Sequence, residues 1–138
     1  MTVDVNYQWR GDISDAELVA LTDSYGGASA AGWWDRIRPF SLGWVVARLP
    51  SAEVAGFVNV AWDGCDHAFL IDTKVRADLH HNGIGTELVR IATREAKLAG
   101  CEWLHVDYEE RLVPFYEVAC GFRPTPASLI HLPDFGPS

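Results

Sequence analysis

Apolar and polar residues alternate one for one at the start of the chain, Val3, Val5, Tyr7 and Trp9 against Asp4, Asn6, Gln8 and Arg10. A period of two predicts a half-buried strand. Ser14-Asp15-Ala16-Glu17 then reads as a capping box, in which the Ser and the Glu three residues later satisfy each other's backbone amides. It opens a predicted amphipathic helix carrying Leu18, Val19 and Leu21, ended by Gly26-Gly27. Trp33-Trp34-Asp35-Arg36-Ile37 fits a short second helix. Leu42 to Leu49 and Val54 to Trp62 predict two strands, broken at Pro50-Ser51 and turned at Asp63-Gly64. His67 to Val75 is a third run, continuously apolar over Ala68-Phe69-Leu70-Ile71, which predicts a strand covered on both faces.

The period changes at Gly83. Ile84, Leu88, Ile91, Ala92 and Ala96 recur at helical spacing, so a helix is expected up to Ala99, stopped by Gly100. Cys101 to Tyr108 predicts another strand, with Leu104 and Val106 on one face and Trp103, His105 and Asp107 on the other. A short helix follows from about Leu112 to Ala119, and Phe122-Arg123 and Ser128 to Leu132 are expected to finish the sheet. The order β-α-α-β-β-β-α-β-α-β predicts one α/β (α+β) domain over residues 1–138, a mostly antiparallel mixed sheet flanked by helices.

Length and composition add limits. A chain of 138 residues buries a core without disulfides or metals. A net charge of −8 argues against nucleic acid and anionic membranes as partners, and is compatible with a cationic substrate such as an amine. Cys65, Cys101 and Cys120 are odd in number and widely spaced, which speaks against a disulfide framework or a paired-cysteine metal site. His67, His81 and His131 show no metal-ligand spacing, so no metal is expected. The first residues lack a basic, apolar leader pattern and no stretch nears ~18 apolar residues, so a soluble cytoplasmic protein is expected.

The chemistry sits where the strand ending at Val75 runs through Arg76-Ala77-Asp78-Leu79-His80-His81-Asn82-Gly83-Ile84-Gly85-Thr86 into the long helix. Free amides at a helix start, with the helix dipole behind them, favour an anion. Glycines at 83 and 85 would let a phosphate oxygen approach the backbone, although two glycines alone fit an ordinary loop as well. A dinucleotide fold does not fit: the third glycine is missing, and no acidic residue ends a second parallel strand. A P-loop is excluded by the lack of a Lys-Ser or Lys-Thr pair after the glycines.

His80 to Gly85 resembles the Gln/Arg-x-x-Gly-x-Gly/Ala motif of the GCN5-related N-acetyltransferase (GNAT) family. Phe115-Tyr116-Glu117-Val118-Ala119-Cys120-Gly121-Phe122 resembles that family's Phe-Tyr-x-x-x-Gly-Phe signature. The likeness spans roughly Leu42 to Phe122. It implies acetyl transfer from acetyl-CoA to the primary amine of a small molecule or peptide, by direct attack in a ternary complex. His80, His81, Asn82, Gly83, Ile84, Gly85 and Thr86 are then expected to hold the pyrophosphate. The backbone of Val75 is expected to pair with the pantetheine arm, and Tyr116 to donate a proton to the departing thiolate.

The general base is open between Asp72, which interrupts an apolar strand, and His105. Each also reads as a structural residue, a buried acceptor and a sheet histidine. Trp33, Trp34 and Asp107 are the candidate acceptor-binding residues, with core or lid packing the plainer reading of the tryptophans. The sequence departs from the family at His80, where Gln or Arg is usual, at Glu109, where Asn is common, and at Phe69, where one branch carries a catalytic Glu. A homodimer sharing its pocket between subunits is compatible with so short a chain. The competing expectation is a non-catalytic module that binds acyl-CoA as a sensor.

Overall fold

The computed structural model describes residues 3–137. Five strands make one sheet in chain order: β1 (Asn6–Trp9), β2 (Ser41–Arg48), β3 (Val54–Trp62), β4 (His67–Val75) and β5 (Trp103–His105). The first four are antiparallel neighbours. β5 runs parallel to β4, as a strand reached through a crossover helix can. Alternation along the central strands splits the core in two. Val45 and Val58 face α3 (Ile84–Leu98), while Val46 and Phe57 face α1 (Asp15–Asp23) and α2 (Trp33–Ile37).

The capping box forms as expected: Ser14 Oγ accepts from the Glu17 amide at 3.1 Å, and Glu17 Oε1 accepts from the Ser14 amide at 3.0 Å. Asp15 then ties α1 to α2, its carboxylate accepting from the amides of Gly32 at 2.6 Å and Trp34 at 3.0 Å. Those two bonds hold its pKa below the usual carboxylate value. No helix among the described residues is long and apolar enough to cross a membrane.

Four expectations are corrected. β4 is not covered on both faces: Ala68 and Leu70 are buried beneath α3, but Phe69 is 40% exposed on the opposite side, where α1 and α2 do not reach. The strand expected over Cys101 to Tyr108 shrinks to Trp103–His105, because only His67, Ala68 and Phe69 of β4 pair with it. Beyond Phe69 the two strands part. Neither Phe122-Arg123 nor Ser128 to Leu132 joins the sheet; Leu129, Ile130 and Leu132 stay exposed. Pro124 and Pro126 interrupt the chain directly after Arg123, and the tail instead lies along the cavity beside β4 and β5. The expected helix from Leu112 instead opens with a 3₁₀ turn, Glu110–Leu112, and widens into a π-helical segment, Pro114–Ala119, closed by Cys120 N–H donating to Phe115 O at 2.9 Å.

Candidate active site

β4 carries a bulge. Phe57 pairs with Lys74 and Asn59 with Ile71, so Val58 faces two residues, Asp72 and Thr73. Asp72 adopts φ 58°, a left-handed conformation uncommon outside glycine that aspartate takes more readily than most residues. The bulge lies just past the point where β4 and β5 separate. Beside this split lies a cavity of about 1170 Å³, bounded by Phe69 to Ile71 of β4, by Trp103 to Tyr108 and by tail residues between Gly121 and Leu129.

Tyr116 projects from the π-helical segment to this bulge. It is 7% exposed, and its hydroxyl donates to Thr73 Oγ1 at 3.4 Å. Tyr108 stacks on it at 4.8 Å between centroids, and Phe115 and Phe122 meet it edge-on at 4.8 and 5.9 Å. Burial pushes its pKa up, with Cys120 and Asp107 adding to the rise against the Thr73 hydrogen bond. The phenol therefore keeps its proton at neutral pH. Tyr108 is itself anchored, its hydroxyl donating to Glu117 Oε2 at 2.6 Å.

The glycine turn precedes α3 as expected. Gly83 sits at φ 77° with open space where a side chain would stand, and no side chain caps the helix. The amides of Ile84, Gly85 and Thr86 belong to the first turn, before Glu87 N–H closes onto Gly83 O at 3.1 Å. Gly85 also abuts an aromatic ring: a Cβ there would stand 3.2 Å from Phe115, the neighbour of Tyr116, so the bare backbone lets the helix pack closely on it. His80 folds back on the strand, Nε2 donating to Val75 O at 2.9 Å, while Asn82 Nδ2 donates to Leu79 O at 3.1 Å and His80 O at 3.2 Å. His81 takes φ 66°. These side chains bond within the loop and to β4, and no side chain caps the start of α3.

The remaining candidates divide. Asp72 is half-buried at the bulge, its pKa raised by burial and partly restored by Lys74. His105 lies elsewhere: its Nε2 meets His67 Nδ1 at 2.7 Å and its ring lies flat on Phe69 at 4.7 Å. It pairs with Phe69, three residues before Asp72, or about 10 Å along the strand. Asp107 is exposed past the end of β5, close enough to Tyr116 to influence its ionisation. Trp34 is 1% exposed, packed edge-on against Trp44 and Phe57; it is a core residue with no face for an acceptor. Trp33 is half-buried, and the ammonium of Lys74 stands 5.4 Å from its ring centroid. Thr73 and Lys74 were not among the candidates. The interruption at Asp72 marked the bulge, but nothing local showed which side chains it would aim.

A split sheet with free helix-terminal amides at one end and a protonated phenol at the split describes an enzyme of the acyltransferase class. The sequence agrees: the model of the Acetyltransferase (GNAT) family matches residues 8–122, and the chain belongs to that family. Among solved structures, a provisionally assigned acetyltransferase of Deinococcus radiodurans R1 is 26% identical, with a TM-score of 0.76 over 95% of this chain and 93% of its own. A GNAT family acetyltransferase of Streptococcus pneumoniae TIGR4 shares the fold at 20% identity, TM-score 0.76, over 93% of this chain and 98% of its own. So does AAC(6')-Iy, solved with the bisubstrate analogue CoA-S-monomethyl-acetylneamine, at 16% identity, TM-score 0.72, over 93% and 97%. No relative was found among curated protein sequences.

Proposed function

We propose that this chain moves the acetyl group of acetyl-CoA to the primary amine of a small molecule or peptide, with both substrates bound and the amine attacking directly. The observation that carries the reading is the Tyr116 phenol, buried, protonated and held at the β4 bulge by Thr73. Acetyl-CoA, when bound, supplies the activated acyl group. The residues present suit it: an open glycine cap with three unclosed amides at the start of α3, and a protonated phenol at the β4 bulge. The acidic surface and the AAC(6')-Iy complex, an aminoglycoside-type analogue joined to CoA, both favour an amine acceptor.

Each residue then has a task. The amides of Ile84 to Thr86 receive the pyrophosphate, and His80 and Asn82 keep the loop in shape for it. Asp72, whose burial raises its pKa, takes the proton of the incoming ammonium. Tyr116 Oη holds a proton for the departing thiolate. Cys120 lies near enough to affect Tyr116, but burial raises its own pKa and keeps it a thiol, which supports direct attack over an acyl-cysteine.

Tyr116→Phe tests this. Across an amine panel with thiol release as readout, kcat should fall about 100-fold or more while acetyl-CoA affinity stays within about twofold. Unchanged turnover would sink the acid assignment. A wild-type protein that binds acetyl-CoA and acetylates no amine would instead be the acyl-CoA sensor.

A further inference from the structure

One buried cation near the bulge has no counter-ion. Lys74 is 9% exposed, next in the chain to Thr73, and its side chain crosses to the α1 and α2 side of the sheet. Its Nζ donates to Thr22 Oγ1 at 3.0 Å and to Tyr25 Oη at 3.4 Å, beneath the face of Trp33. All three partners are neutral. Among the described residues the ion pairs are made by arginines and His131, and none includes Lys74. Asp72 is the acid its field reaches, without ion-pair contact.

A buried ammonium is costly unless an anion or a full set of acceptors meets it. Here two acceptors serve three N–H groups. Packing does not require the charge, since Thr22 already donates to Leu18 O at 2.9 Å without it. Nor is this deep core, because Tyr25, which covers the ammonium, is 42% exposed. The charge lies just inside a rim formed by the connection between α1 and α2, beside the bulge where the amine is to react.

We propose that Lys74 binds an oxyanion on the acceptor, so that the amine acetylated here carries a carboxylate or phosphate; this rests on the acetyl-transfer reading above. Tyr25 can accept from Lys74 and donate its own hydroxyl proton to the same oxyanion. A cationic group stacked on Trp33 is disfavoured, because that ring already faces the ammonium.

Matched acceptors read the proposal: glycine against glycinamide for a carboxylate, phosphoethanolamine against ethanolamine for a phosphate. In the wild type, kcat/KM should favour the anionic member of at least one pair by about tenfold or more, and the pair that responds identifies the oxyanion. Lys74→Met should bring that ratio near one through KM, and Lys74→Arg should restore it. Should Lys74→Met fail to fold, Lys74→Gln is read in the same way. A ratio that survives loss of the charge, or a wild type indifferent to the anion in both pairs, overturns the proposal. If no amine is acetylated, the transfer reading fails, and Lys74 is read from thermal stabilisation of the CoA-bound protein. Extra stabilisation by an anionic member, lost in Lys74→Met, supports it; equal shifts within both pairs overturn it.

Discussion

At the residue scale, the bulge joins Tyr116, Thr73, Asp72 and Lys74, so small electrostatic differences there have measurable consequences. Asp72 is the sharpest case. Burial raises its pKa more than Lys74 lowers it, so its folded-state value lies above the 3.8 of an unfolded chain. The neutral carboxyl is therefore the form the fold prefers. Its unfavourable contribution is absent below pH 3.8, grows as pH rises towards the folded value, and is then constant. Asp72→Asn should accordingly raise the melting temperature relative to wild type at pH 7 and do so less at pH 3.5. The same substitution removes the proposed base, so kcat/KM should fall about 100-fold. Wild-type kcat/KM should rise with pH on a limb whose apparent pKa lies above the 3.8 of an unperturbed aspartate, and the variant should lose that limb. A variant that melts lower at pH 7 and keeps the limb would assign Asp72 to structure alone. The sequence exposed Asp72 because a charge in an apolar run is visible locally. Lys74 was not legible in the same way, since its burial depends on Thr22, Tyr25 and Trp33, some 40 to 50 positions earlier.

At the scale of elements, two glycines two residues apart have different surroundings, and substitution should separate their effects. Gly83 needs its positive φ and has room for a methyl group. Gly83→Ala should cost about 1 kcal/mol of backbone strain, or about 4 °C in melting temperature, and Gly83→Asn less, because Asn tolerates that conformation. Gly85 is in ordinary helical conformation but abuts Phe115. Gly85→Ala should displace that ring and Tyr116 with it, lowering kcat as well as acetyl-CoA affinity; steady-state kinetics beside calorimetric binding distinguishes the two variants. The helix start was legible as strand, glycines, helix, all within a dozen residues. The contact of Gly85 with Phe115 was not, because Phe115 is 30 positions away. The long strand expected from Cys101 failed similarly: its alternation persists to Tyr108, but pairing also needs a neighbour, and β4 bends away after Phe69.

At the scale of the whole molecule, the split sheet ties ligand binding to stability. Past Phe69, β4 retains β3 on one side and has no strand on the other. The segment Leu70–Val75 therefore pairs with one neighbouring strand where an interior strand has two. The π-helical segment is tied to it mainly by aromatic packing around Tyr116 and the single Thr73 contact. A ligand that fills the split and pairs with β4 therefore stabilises the two segments together. Acetyl-CoA at about 100 times its dissociation constant should add near 2.7 kcal/mol to global stability. Amide exchange should slow first in Leu70–Val75, in Ile84 to Thr86 and across Pro114–Ala119, with β1 and the far half of β2 changing least. Uniform slowing would mean that binding is read only through global unfolding. Slowing confined to Ile84 to Thr86 would mean that the pyrophosphate is held but the arm does not lie along β4, and Tyr116 would then lose its place at the reacting sulfur.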